Sequence, residues 1–139
     1  SAHGLASYRP GQAITTTMTA EALVCRYFMN KTVDPETVHE AVRKVMSDVP
    51  RSSHINLYYW YYGTMALYQS GDENWESWNQ SLTRTLLPMQ IKKGDLNGSW
   101  PANGLWAGYG GRVYSTAMAT LCLEVYYRYT PVTELSRDH

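Results

Sequence analysis

The chain has 139 residues, which is enough for one domain with its own hydrophobic core. Its twelve basic and twelve acidic residues cancel, and no basic patch or polybasic run points to a nucleic acid or to an anionic membrane surface. No stretch reaches about 18 apolar residues, so the sequence predicts no transmembrane helix. Nothing in the sequence separates a cytoplasmic from an exported location.

The aromatic composition is unusual, with twelve Tyr and five Trp against one Phe. Tyr and Trp bury apolar area and keep a polar group, so they suit both helix interfaces and the walls of wet binding cavities. The two cysteines, Cys25 and Cys122, lie in apolar helical patterns, where a free thiol packs as a small hydrophobe. A disulfide between them is the alternative.

The apolar pattern predicts five helices and no strand. The helices are expected at about 14–30, 35–48, 57–69, 74–91 and 112–129. The second begins after Asp34, a favourable N-cap residue, with Pro35 at its first position. The third ends at Gly71, a helix-terminating glycine, and Pro131 ends the fifth.

The distribution of apolar residues differs between these helices. The second and fourth are apolar along one stripe, whereas the third and fifth are apolar on every side and the first nearly so. One-sided helices lie at a surface, and helices that are apolar all round are buried. The order inner, outer, inner, outer, inner predicts stacked helical hairpins. The chain then divides into an N-terminal extension (1–13), a helical-repeat domain (14–131) and a C-terminal tail (132–139).

Two sequence motifs suggest a family. In LLPMQIKKGDLNGSW, Gln90 precedes Gly98 and Trp100, which resembles the Gln-Trp repeat that ties helical hairpins together in squalene-hopene and oxidosqualene cyclases. The spacing from Gln90 to Gly98 is longer than in that repeat. The stretches NLYYWYYGTMALYQSGDENWESWN and GGRVYSTAMATLCLEVYYRY are similar to the C-terminal region of bacterial, planctomycete-type squalene cyclase/prenyltransferase-repeat proteins.

This resemblance implies an all-α fold, a partial (α/α) toroid of the terpenoid cyclase/prenyltransferase type. Inner helices of such a toroid line a cavity, and outer helices wrap around it. A closed toroid needs more helices than the five predicted here, so the open faces would expose apolar surface. The partners that we expect are further copies of the chain or upstream repeats of a full-length protein.

The catalytic motifs of that superfamily are absent from the sequence. There is no Asp-x-Asp-Asp acid for protonating an alkene. Cys25 and Cys122 lack the Asp-x-Cys and His spacing of a prenyltransferase zinc site. We therefore expect no catalytic residue, metal or cofactor, and a role in ligand binding or protein interaction. The alternative is the cavity-forming C-terminal part of a terpenoid cyclase-like enzyme whose catalytic acid lies upstream.

One candidate binding site follows from the resemblance. Inner helices of a toroid run parallel, so the starts of the third and fifth helices should open at the same end, where helix N-termini attract anions. Arg112 would add a forked donor. A small polar or amphipathic ligand would contact Tyr58, Tyr59, Tyr62, Trp100, Trp106, Tyr109, Gly110, Gly111, Arg112 and Tyr114. The alternative is structural: the glycines permit a tight turn, Arg112 pairs with Glu73 or Asp95, and the tryptophans only join hairpins.

Overall fold

The protein is all-helical in the computed structural model, which describes residues 3–29, 32–71 and 73–129. The five helices are α1 (Thr16–Phe28), α2 (Pro35–Met46), α3 (Leu57–Ser70), α4 (Glu73–Met89) and α5 (Ala107–Arg128). Within the described ranges there is no strand, only two isolated bridges in the connections. The predicted all-α class with five helices is confirmed. The predicted tail (132–139) and Pro131 lie outside the described residues.

The helix ends coincide with local capping signals in the sequence. Thr15 caps α1 through its side chain, and Asp34 caps α2 by accepting a hydrogen bond from the Thr37 backbone N–H at 3.0 Å. Asn56 caps α3 in the same way. Gly71 ends α3 in the left-handed conformation (φ 65°), which satisfies a terminal carbonyl at no steric cost. The predicted start of α2 and end of α3 are therefore confirmed.

The helices are arranged in two rows. α3 is central and packs against all four other helices. It lies with α1 and α5 in one row, which we call the inner row. α2 packs mainly against α1, α4 packs mainly against α3, and the two also contact each other; we call them the outer row. The toroid with alternating inner and outer helices stays a prediction.

The contact between the rows depends on one glycine and two large aromatic side chains. Trp78 of α4 is fully buried and lies directly on Gly63 of α3, and its indole N–H donates to the Thr64 hydroxyl at 2.9 Å. From α3, the Tyr59 hydroxyl donates to the Val45 carbonyl oxygen of α2 at 2.6 Å. Because these polar atoms are paired, burying the rings costs no unsatisfied hydrogen bond.

The exposure of α5 differs from the prediction. Nine of the 14 residues of α3 are buried, but only five of the 22 residues of α5. The expectation that both helices are buried on every side is therefore wrong for α5. The reason is its position in the row: α3 has neighbours on several sides, whereas the main packing partner of α5 is α3.

A break in α5 corresponds to the glycine pair of the sequence. Gly111 has φ 64° and ψ −158°, a conformation that essentially only glycine adopts, and it separates a first turn from the long part of the helix. The helix predicted from residue 112 corresponds to the long part. The turn before the break, from Ala107 to Gly110, was not predicted.

The two cysteines are free thiols in different environments. Cys122 is buried, with its sulfur 3.8 Å from the Leu57 carbonyl oxygen, and burial raises the pKa of its thiol. It packs as a small hydrophobe, as predicted. Cys25 is exposed, which corrects the same expectation for that residue. The apolar pattern of α1 continues onto a side of the helix that is exposed in the described part of the chain, where Phe28 is also 52% exposed.

Candidate functional site

The segments that lead into α3 and α5 lie side by side. The backbone N–H of Leu105 donates to the carbonyl oxygen of Ile55 at 3.0 Å. Gly104 makes this approach possible, because a side chain at that position would collide with Ile55. The structure therefore brings together the two helix starts at which the sequence predicts a binding site.

Two of the predicted ligand residues are instead part of the packing. Tyr59 is 1% exposed, and its ring lies edge-on against Trp78 with the centroids 5.7 Å apart. Trp100 is 5% exposed, and its indole N–H donates to the Leu86 carbonyl oxygen at 2.8 Å. Leu86 lies in the last turn of α4, where carbonyl groups lack partners within the helix. Both side chains thus pack in the interior of the protein, and almost none of their surface is accessible to a ligand.

The residues of the Gln-Trp-like motif are close together in space. The Gln90 side-chain amide donates to the Gly98 carbonyl oxygen at 2.9 Å. Next to this bond, the backbone N–H of Ile91 donates to the Ser99 carbonyl oxygen at 2.9 Å, and the backbone N–H of Gly98 donates to the Ile91 carbonyl oxygen at 2.8 Å, which closes the loop. Together with the bond from Trp100 to α4, these contacts fix the loop to the helix end.

Arg112 also contacts this loop. Its Nη1 donates to the Ser99 hydroxyl at 3.3 Å and to the Trp100 carbonyl oxygen at 3.4 Å. Neither Glu73 nor Asp95 forms an ion pair with it; the ion pairs in the described part of the chain join other residues. Among the described residues, the guanidinium group is thus held by neutral oxygens and forms no ion pair.

Trp106 and Tyr109 are on the outside of the molecule. They are 53% and 92% exposed, with ring centroids 6.2 Å apart. Trp106 has φ 69°, a left-handed conformation that is unfavourable for a bulky residue, and its carbonyl oxygen accepts the N–H groups of Tyr109 and Gly110. These two rings therefore do not share an enclosed pocket with Tyr59 and Trp100.

The remaining three tyrosines are connected through Tyr58, which also contacts a residue that the sequence pattern did not indicate, Glu21. Tyr58 and Tyr62 stack edge to face with centroids 5.0 Å apart, and the Tyr58 hydroxyl faces the carboxyl group of Glu21 on α1. The Tyr114 side chain reaches the backbone of Tyr58 from α5. The sequence signal for Glu21 is that it is a single acidic residue inside the apolar first helix. We call these four residues the inner-row cluster.

The inner-row cluster contains two buried oxygen atoms without a hydrogen-bond partner, Oε1 of Glu21 and the hydroxyl oxygen of Tyr114. Burial raises the pKa of Glu21, and the Tyr58 hydroxyl offsets part of that rise. Burial likewise raises the pKa of Tyr58 and of Tyr114. Buried polar atoms are normally paired with protein or water, so these two oxygen atoms are available to a polar group of a bound molecule.

A separate groove of about 1130 Å³ runs along α2 and is lined by residues that include Asp34, Glu36, Glu40 and Glu73. None of the predicted ligand residues lines it. In the described ranges, no group of three or more His, Cys, Asp and Glu residues could hold a metal ion. No helix in that part of the chain is long and apolar enough to cross a membrane.

Comparisons of the chain with protein-family models, with curated proteins and with solved structures found no match. The resemblance to cyclase/prenyltransferase-repeat proteins therefore stays a prediction from the quoted motifs.

Proposed function

We propose that the chain is a helical-repeat interaction module, a section of an α/α toroid that binds a further helical hairpin along α5. One observation carries this proposal: α5 has the apolar composition of an inner helix but the exposure of a surface helix. Large apolar surfaces left in water mark sites where another molecule docks.

The exposed side of α5 forms a continuous stripe, which we call the α5 edge. Its residues recur every three, four or seven positions, so they share one face of the helix. They are Val113, Ala117, Thr120 and Tyr127, all in the long part of α5 after the break at Gly111. Val113 and Tyr127 are 82% and 83% exposed. Glu124, which interrupts the stripe, is paired with Arg128 at 3.1 Å, so its charge is compensated.

The way in which α3 is covered indicates which partner would bind to the α5 edge. In this chain an inner helix is covered by neighbouring inner and outer helices, and α3 has both. A further hairpin of the same kind would supply both to α5. For this chain in isolation, the available hairpin is a second copy of itself.

The test is the solution mass of the wild-type chain and of two variants, measured by sedimentation velocity over a range of concentrations. Val113→Glu places a charge in the α5 edge and replaces a β-branched residue by a better helix former, so folding is not impaired. Leu87→Glu is the matched control, because Leu87 is 47% exposed and lies on α4, a helix that makes no substantial contact with α5. We expect the wild type and Leu87→Glu to dimerise and Val113→Glu to remain monomeric at the same concentration.

Two results would refute the proposal. One is a wild-type chain that stays monomeric at the highest concentration. The other is a Val113→Glu chain that associates as strongly as the wild type, because a buried unpaired carboxylate in the interface costs several kcal/mol.

A further inference from the structure

The inner-row cluster is a second feature, and it stands independently of the α5 edge. We propose that Glu21, Tyr58, Tyr62 and Tyr114 form a binding site for a small organic cation, with an ammonium group beside the Glu21 carboxylate and against the tyrosine rings. The site is built by three different helices, α1, α3 and α5, and its side chains are partly buried.

The carboxylate of Glu21 lacks a counter-charge. The ion pairs formed in the described part of the chain are those of Arg51 with Asp48 and of Arg128 with Glu124. Arg26 lies on the same helix but donates to backbone oxygens of the N-terminal segment. The Tyr58 hydroxyl faces the carboxyl group, but Oε1 of Glu21 is buried without a hydrogen-bond partner, and a bound cation would offset the cost of that burial.

The aromatic rings complete the recognition of an ammonium group. Tyr62 contacts Tyr58 on one side and Tyr61 on the other, with centroid distances of 5.0 and 5.4 Å and interplanar angles of 62° and 63°. In these contacts the edge of one ring lies against the face of the next, and each of the three side chains keeps part of its surface exposed. Ammonium groups bind to ring faces when they lie within about 6 Å of the centroid.

Tyr114 supplies the second unpartnered oxygen of the cluster. A hydroxyl oxygen both donates and accepts, so it suits a ligand hydroxyl group. Choline carries an ammonium group and a hydroxyl group and therefore fits the whole cluster. The Glu21 carboxylate would repel an anion, and a neutral alcohol would leave its charge uncompensated.

The probes for the test are choline and its neutral isostere, in which a carbon atom replaces the ammonium nitrogen. Binding to the full chain is followed by isothermal titration calorimetry and by the NMR shifts of the tyrosine ring protons. We expect choline to bind at least about tenfold more tightly than the isostere, which is the size of a desolvated cation–aromatic interaction. Glu21→Gln and Tyr62→Leu should each weaken choline binding by a similar factor.

The control variant is Glu36→Gln, which removes an exposed carboxylate from α2 and should leave choline binding unchanged. The comparison of the two probes uses the wild-type chain, so it remains decisive if a variant fails to fold. Equal binding of choline and its isostere, no binding of choline at tens of millimolar, or unchanged binding to Glu21→Gln would each overturn the proposal.

Discussion

Replacing Trp100 tests how firmly the loop before α5 is fixed to α4. The side chain is 5% exposed and lies against the last turn of α4. Trp100→Ala removes its buried ring and leaves a cavity, which costs about 3–5 kcal/mol. A domain of this size is stable by about 5–15 kcal/mol in total, so the variant should lose a large part of its stability.

A second substitution at this position separates packing from hydrogen bonding. Trp100→Phe keeps most of the ring but removes the indole N–H, so the Leu86 carbonyl oxygen loses its 2.8 Å partner in a buried position. An unsatisfied buried acceptor costs about 1–3 kcal/mol. The free energy of unfolding should therefore fall from the wild type to Trp100→Phe and again to Trp100→Ala.

The assay is equilibrium unfolding in urea, followed by circular dichroism of the helices. Trp106→Ala is the matched control, because Trp106 is 53% exposed and its truncation should change the free energy of unfolding by no more than about 0.5 kcal/mol. If Trp100→Ala unfolds at the same urea concentration as Trp106→Ala, the loop is not held by this contact and the reasoning fails.

Two further predictions concern α3 and α1. Gly63→Ala should destabilise the chain by about 1–3 kcal/mol, because the added Cβ would lie 2.5 Å from a ring carbon of the fully buried Trp78. Gly108→Ala is the control: a Cβ at that position would meet open space, so the substitution should be neutral or stabilising in the same urea assay. Glu21→Gln should alter the pH dependence of stability. The folded state raises the pKa of Glu21 above its usual 4.5, so near this pH the folded chain binds more protons than the unfolded chain. The free energy of unfolding therefore falls as the pH rises above 4.5. The variant lacks this contribution, so its stability relative to the wild type should increase from pH 4.5 towards neutrality; a constant difference would contradict the assigned burial.

The helices themselves could be predicted because their signals are local. Asp34 and Pro35 start α2, and Gly71 ends α3, through backbone and side-chain contacts within a few residues. The one-sided apolar stripes of α2 and α4 are equally local, since they follow from helical periodicity. The Gly110-Gly111 pair was placed correctly at the start of the long part of α5, because the conformation of Gly111 is one that other residues avoid.

The candidate site was only partly predictable, because neighbours in space decide which side chains a ligand could reach. Tyr58 and Tyr59 are adjacent in the sequence, and both are predicted as ligand-binding residues. In the structure, Tyr59 faces α2 and donates to Val45, whereas Tyr58 faces Glu21 of α1. Glu21 gave only the weak signal of one acidic residue in an apolar helix, and its partners come from other helices.

The sequence by itself determined the all-α class, the start of α2, the end of α3 and the alternation of two apolar patterns, since these depend on capping and periodicity along one segment. Only the tertiary structure decided which inner helix is covered. α3 and α5 are both rich in apolar residues, but packing against all four other helices buries most of α3, while only five of the 22 residues of α5 are buried at the end of the row. Burial depends on neighbours that are distant in the chain, and composition alone cannot specify their positions.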